Sequence, residues 1–187
     1  MKLSFLIITL CFSYTSNIRA QKTIQEVKID NQQPFLLGEI TVDALSSNTY
    51  KTWFQPNFND YKTDNEKVNS IKNKINDFRI IIFMGTWCGD SKREVPRFIK
   101  ILESIDYPKE YFKIVALDKR KENYKKSPQG EEWGLNIRRV PTFIFYKNGR
   151  EINRIIETPI RTLEDDILKI VSHQEYIPNY ASSLHFD

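Results

Sequence analysis

The sequence predicts one α/β domain, a central mixed β-sheet flanked by helices and preceded by an N-terminal extension. Three observations predict it. Residues 79–117 read as a strand–helix–strand unit, residues 142–156 as an antiparallel hairpin, and Thr162 to about Val171 as a closing helix. A length of 187 residues is ample for one buried core, and 12 Phe, 9 Tyr and 3 Trp carry too much apolar surface to stay solvated. With only 6 Gly and 8 Pro, collagen-like and low-complexity classes are excluded.

The first twenty residues have the pattern of an export signal. Lys2 supplies the positive start, and Leu3 to Phe12 is an apolar run too short to span a bilayer. Ala20 is a small residue suited to a signal-peptidase site, with Ile18 acceptable at the minus-three position. The alternatives are an uncleaved anchor or a buried N-terminal segment. A lipoprotein signal would use Cys11, but Leu10 is bulky where such signals want a small residue. No second apolar run approaches a transmembrane length. Cleavage after Ala20 removes Lys2 and Arg19 and no acidic residue, so the formal charge falls from +4 to +2. That balance gives no electrostatic footprint for nucleic acid. Cys11 leaves as well, so Cys88 becomes the only cysteine and no intrachain disulfide can form. High Lys, Asn and Ile suggest an AT-rich genome, and with the signal they point to a bacterial periplasm or the extracellular space.

After the signal, Thr23–Ile29 and Gly38–Val42 read as short strands. Val42–Phe54 reads as a helix carrying Leu45, Tyr50 and Trp53, broken at Gln55-Pro56-Asn57. Thr63-Asp64-Asn65-Glu66 is a capping box, opening a helix with Val68, Ile71 and Ile75 on one face. Arg79–Met84 is a continuous apolar run bounded by Gly85, the pattern of a strand buried on both faces. A helix follows from about Gly89 to Ile105, with Val95, Phe98, Ile99, Ile101 and Leu102 inward, and Phe112–Leu117 is a second buried strand. Residues 118–131 hold the main charge run and read as a solvated loop or exposed helix. Glu131–Leu135 reads as a helical turn. Thr142–Tyr146 and Arg150–Ile156 are strands joined at Lys147-Asn148-Gly149, a strong hairpin signal. Thr162 caps the last helix, with Leu163, Ile167 and Ile170 inward; the polar tail from Ser172 takes no assignment.

Cys88 lies in Gly85-Thr86-Trp87-Cys88-Gly89-Asp90-Ser91-Lys92, between a buried strand and the helix that it feeds. There the sulfur sits beside unpaired helix N–H groups and the positive dipole end, both of which favour thiolate over thiol. Asp90 opposes this, Lys92 and Arg93 assist if they fold toward the sulfur, and Ser91 is placed to donate a hydroxyl hydrogen bond. The plainer alternative is a buried structural cysteine, against which the flanking Gly, Asp and Ser argue.

These residues resemble the thioredoxin superfamily. Trp87-Cys88-Gly89-Asp90-Ser91-Lys92 with Pro96 is similar to its active-site turn and helix-kinking proline. Val140-Pro141-Thr142-Phe143-Ile144-Phe145-Tyr146-Lys147-Asn148-Gly149 is similar to its second signature. The resemblance implies a thioredoxin-like fold, with the signal at 1–20, an extension at 21–62, the domain at 63–172 and a tail at 173–187. It implies Cys88 as nucleophile with Trp87 and Ser91 beside it, and a cis Pro141 that faces the cysteine. By it, Val140, Pro141 and Thr142 pair with a substrate strand. Arg139, with Arg138, precedes that loop and would favour an anionic client or thiol; a solvated face is the alternative.

Three departures narrow what the resemblance implies. Ser91 stands where the family has its second cysteine, Ile82 where thioredoxins have a buried acid, and Glu157 where the family has a glycine. Without a second thiol the ordinary dithiol reaction cannot run. A Cys88 adduct would need release by the client's own second thiol, which is isomerisation, or by a low-molecular-weight thiol. The expected partners are thus disulfide- or thiol-bearing client proteins. A non-catalytic binding module is the alternative, and a disulfide-linked homodimer through Cys88 is a third possibility. No cofactor is implied. A cysteine protease would need a nearby histidine, and only His173 and His185 exist. Thiol peroxidases of the superfamily carry threonine three residues before the cysteine, where this chain has Gly85. No metal-ligand spacing and no glycine-rich phosphate loop are present.

Overall fold

The computed structural model describes residues 24–183. The predicted signal, Cys11 and His185 lie outside the described residues. Six strands form one sheet in the order β1-β2-β4-β3-β5-β6. They are β1 (Gln25–Val27), β2 (Phe35–Ile40), β3 (Phe78–Met84), β4 (Phe112–Ala116), β5 (Thr142–Lys147) and β6 (Arg150–Ile156). The helices are α1 (Val42–Leu45), α2 (Lys51–Asn59), α3 (Asn65–Lys72), α4 (Gly89–Ser104) and α5 (Leu163–Val171). Only β3 and β4 run parallel, because α4 carries the chain back between them; the other neighbours are antiparallel.

Alternation along β3 divides the interior. Ile80, Ile82 and Met84 face a large core built with α2, α3, α4 and α5, in which Phe98 of α4 stacks on Phe143 of β5 at 4.3 Å between ring centroids. Ile81 and Phe83 face a smaller cluster with Val115, Leu117, Val140 and Ile144, to which Trp87, Cys88, Leu135 and Ile137 add. Both faces are covered along Ile80–Met84, and the unbroken apolar run there follows from that. On the second face the cover comes from the chain between β4 and β5.

Several elements depart from the sequence reading. The second strand starts at Phe35 and stops at Ile40, because Thr41 turns to cap α1 by accepting from Ala44 N–H. The expected single helix over 42–54 divides at Ser46 and resumes as α2, which runs through Pro56 to Asn59. Proline removes only the donor for the exposed Thr52 carbonyl, and packing of buried Phe54 against α4 outweighs that loss. At the start of α3 the cap is Asp64 rather than Thr63, its Oδ1 accepting from Glu66 and Lys67 N–H, so the capping box does not form. Thr162 does cap α5, accepting from Asp165 N–H at 3.1 Å. Asn148 and Gly149 both have positive φ, as a two-residue hairpin of primed type requires.

The N-terminal segment and the tail both join the domain. β2 pairs with β4, and α2 packs on α4. In the tail, Tyr176 is buried and donates its hydroxyl to Asp166 at 2.8 Å, while its carbonyl accepts from Asn153. Among the described residues no helix is long and apolar enough to cross a membrane.

Candidate functional site at the Cys88 turn

The carboxyl end of β3 runs into Gly85 and a tight turn closed by Cys88 N–H to the Gly85 carbonyl at 2.9 Å. The indole of Trp87 folds back over this turn and donates Nε1–H to Leu117 O at 2.9 Å. Gly85 makes room for it, since a Cβ there would lie 2.6 Å from the indole. Thr86 is buried, and its hydroxyl accepts from Leu36 N–H at 3.0 Å, which fastens the turn to β2. No local pattern signals this tie, because it spans fifty residues.

Cys88 is the N-cap residue of α4 and half-buried. Its thiol donates to the Val140 carbonyl at 3.2 Å, across a Val140–Pro141 peptide bond that is cis. Val140, Pro141 and Thr142 are buried, and Thr142 Oγ1 donates to Arg139 O at 2.7 Å, which braces the loop. The structure therefore brings Trp87, Cys88, Val140, Pro141 and Thr142 together. It takes Ser91 away. Ser91 is wholly buried, its hydroxyl oxygen accepts from Gly85 N–H at 3.2 Å, and the expected hydrogen bond to the Cys88 sulfur is not formed. Nor does the sulfur accept a capping bond from the first turn of α4.

The first turn of α4, the proline loop and the tail carry a charged rim. Arg93 pairs with Asp90 at 2.7 Å and with buried Glu94 at 2.6 Å. Arg139 is exposed, pairs with Glu157 at 3.4 Å and lies 4.7 Å over the ring of Tyr180. Tyr180 in turn donates to Glu157 at 2.5 Å, which brings the C-terminal tail to the proline loop. Glu157 itself adopts a left-handed backbone and donates its N–H to Pro141 O at 2.7 Å.

The charge run after β4 contributes more than a solvated loop. Buried Asp118 accepts from Arg120 N–H and holds the Arg120 guanidinium at 2.6 Å. Backbone bonds from Asp118 N–H to Lys126 O and from Lys125 N–H to Asp118 O close the loop. Closure sets Tyr124 against Trp87, 5.6 Å between ring centroids, and points Lys125 Nζ to the Arg138 carbonyl. Burial and the nearby Arg139 charge push the Lys125 ammonium below its ordinary range, opposed by the Cys88 sulfur and Glu157. Tyr124 and Lys125 are the residues that the sequence reading missed. Among the described residues no group of three or more His, Cys, Asp or Glu is placed to hold a metal.

The thioredoxin family model matches residues 43–168, spanning both the Cys88 turn and the cis-proline loop. The chain belongs to the thioredoxin family. A thioredoxin of Malassezia sympodialis is 36% identical over 77 residues, 41% of this chain and 66% of the relative. Thioredoxin-like protein 1 of Schizosaccharomyces pombe is 27% identical over 97 residues, 52% of this chain and 31% of the relative. The chain thus spans less than two thirds of either protein. Mitochondrial thioredoxin 3 of Saccharomyces cerevisiae, in its oxidised form, is 32% identical, with a TM-score of 0.31 over 49% of this chain and 76% of that one. The fold is thioredoxin-like, a mixed sheet flanked by helices. Family membership places the chain among proteins of thiol–disulfide redox chemistry.

Proposed function

We propose that this is an exported monothiol member of the thioredoxin family that exchanges disulfides with client proteins through Cys88. The observation that carries this reading is the 3.2 Å contact between the Cys88 thiol and Val140 O, beside the cis Pro141. The Cys88 thiolate attacks one sulfur of a client disulfide. The client S–S bond breaks as the Cys88–client bond forms, and the departing client thiolate takes a proton from solvent. Once the Cys88 proton is gone, the Val140 carbonyl is free to accept an N–H from the client strand, so loss of the proton and client docking reinforce each other. Ser91 carries no thiol, so the adduct is released by the client's second thiol or by a small external thiol, restoring the Cys88 thiol. Export rests on Lys2, the Leu3–Phe12 run and Ala20. A bacterial periplasm is the compartment we infer.

A binding role without turnover is the second reading. It is favoured by Ser91, buried on Gly85 N–H, and by Ile82, wholly buried where thioredoxins have an acid. One experiment separates the two. The protein and its Cys88→Ala variant are incubated with a peptide disulfide and with scrambled ribonuclease, and adducts are counted by intact mass. Adducts on the wild type with recovery of ribonuclease activity support exchange; a variant that binds clients as well as the wild type, with no adduct on either, supports the module. Non-reducing electrophoresis of the same sample reads out a Cys88-linked dimer.

A further inference from the structure

In the thiol form, Cys88 is a donor, to the Val140 carbonyl at 3.2 Å. Ionisation removes that proton and leaves a sulfur anion facing the negative end of a carbonyl dipole. The groups expected to receive the charge make no bond to the sulfur. The Ser91 hydroxyl, which accepts from Gly85 N–H, forms no hydrogen bond to it, and no first-turn amide of α4 caps the side chain. Of the nearby arginines, Arg93 is committed to Asp90 and Glu94, Arg139 to Glu157, and exposed Arg138 donates Nε–H to Asn136.

Lys125 is different. The residue is half-buried, and its ammonium's one hydrogen bond among the described residues goes to a neutral acceptor, the Arg138 carbonyl. It makes no ion pair among those residues. Arg138 and Val140, whose carbonyls hold Lys125 and Cys88, are two residues apart on one short segment. A partly buried charge with no counter-charge is costly, and an anion arriving beside it lowers that cost. We propose that Lys125 is the counter-charge of the Cys88 thiolate. This deepens the reading of Cys88 as a nucleophile and rests on it.

The loop makes the placement specific. Lys125 adopts a left-handed backbone, and its N–H bonds the carbonyl of Asp118, whose side chain anchors Arg120. The ammonium is thereby presented by a closed loop rather than a free chain. Other charged or titratable groups of the elements packed here are Asp90, Lys92, Arg93 and Glu94 of α4, Tyr124 beside Trp87, Arg138 and Arg139 ahead of β5, Glu157 after β6 and Tyr180 of the tail. Asp90 and Glu157 act against the thiolate, which raises the need for a cation not already paired with them.

The test is the pH profile of Cys88 alkylation by iodoacetamide in the full chain, for the wild type, Lys125→Gln and Lys125→Arg. Lys125→Gln is expected to displace the profile to higher pH and slow alkylation at pH 6.5 about three- to tenfold, with Lys125→Arg restoring most of the rate. Exposed Lys121 lies in the same loop, and Lys121→Gln is expected to leave the profile where it is. The wild type alone gives a second reading: anionic iodoacetate should gain on neutral iodoacetamide at low salt, and lose that gain as salt rises. Superimposed profiles for wild type and Lys125→Gln, with matching circular dichroism, overturn the proposal, as does failure of Lys125→Arg to restore the rate. A displaced profile in a protein that forms no adduct with a peptide disulfide supports the counter-charge and removes the exchange function. Adducts with an undisplaced profile overturn the counter-charge alone.

Discussion

On one face of the sheet the chain lays α2, α3, α4 and α5; on the other it lays residues 118–140, which contain no α-helix. The helical face holds most of the buried side chains, among them Phe98, Phe143, Ile71 and Ile167, all wholly buried. The other face buries a handful, yet Trp87, Tyr124, Lys125 and the Val140 carbonyl all gather there around Cys88. Stability and chemistry are thus drawn from opposite sides of one sheet. A strand such as β3, apolar on both faces, is what allows the two to share a backbone.

The largest effect should come from the helical face. Phe98 stacks on Phe143 and meets Phe145 edge-on at 6.1 Å, with no exposed surface. Phe98→Ala is expected to cost about 3–5 kcal/mol through lost transfer energy and the cavity left behind. Urea unfolding followed by tryptophan fluorescence measures it. A cost below that of any substitution on the loop face would break the division drawn above.

A smaller effect with a different signature is expected from Asp118. Asp118→Ala removes the acceptor of the Arg120 N–H from a buried position, at about 1–2 kcal/mol. Amide exchange should quicken across residues 118–126, while α4 and α5 keep their protection. Cys88 alkylation should change with it, because the same loop presents Lys125 and Tyr124. Loss of stability with no change in exchange within that loop would mean that Asp118 is only a packing residue.

The same division explains what the sequence could tell. The helical face is written in periodic signals: the inward residues of α4, the Leu163, Ile167 and Ile170 row of α5 and the Asn-Gly hairpin are local patterns that packing does not overrule. Cys88, Trp87 and the Val140–Thr142 loop were legible because each sits at a junction between such elements. The Asp118–Lys126 loop was not, since its shape depends on one carboxylate reaching two residues along the chain and on two backbone bonds, while its charges look like any solvated run. Ser91 was placed wrongly for a related reason. Helical spacing puts it one turn below Cys88, but there its oxygen accepts from Gly85 N–H and no hydrogen bond reaches the sulfur, a placement set by the backbone of the turn rather than by helical period. Tyr176 and Tyr180 lie in a polar tail with no period, and only the partners Asp166 and Glu157 fix them.

The smallest effect should again lie on the helical side, and it sharpens the comparison because it is electrostatic yet remote from Cys88. Lys67 bridges Asp64, the cap of α3, at 3.2 Å and Asp165 of α5 at 2.9 Å. Backbone hydrogen bonds from the start of α3 hold the Asp64 carboxyl below its ordinary range, and the Lys67 ammonium does the same for Asp165. A carboxyl depressed in the folded state contributes stability above its unfolded value of about 3.9 and loses it as pH falls through the lower folded value. Lys67→Gln should therefore lower the thermal midpoint slightly at pH 7, with the gap to the wild type closing below about pH 4 as both aspartates protonate. Because the three groups are solvated, 0.5 M salt should also narrow the gap at pH 7. Alkylation of Cys88 should not respond to this substitution at any pH. A response there would mean that the helical face reaches the sulfur after all, and that the sheet does not separate the two sides as its alternating side chains imply.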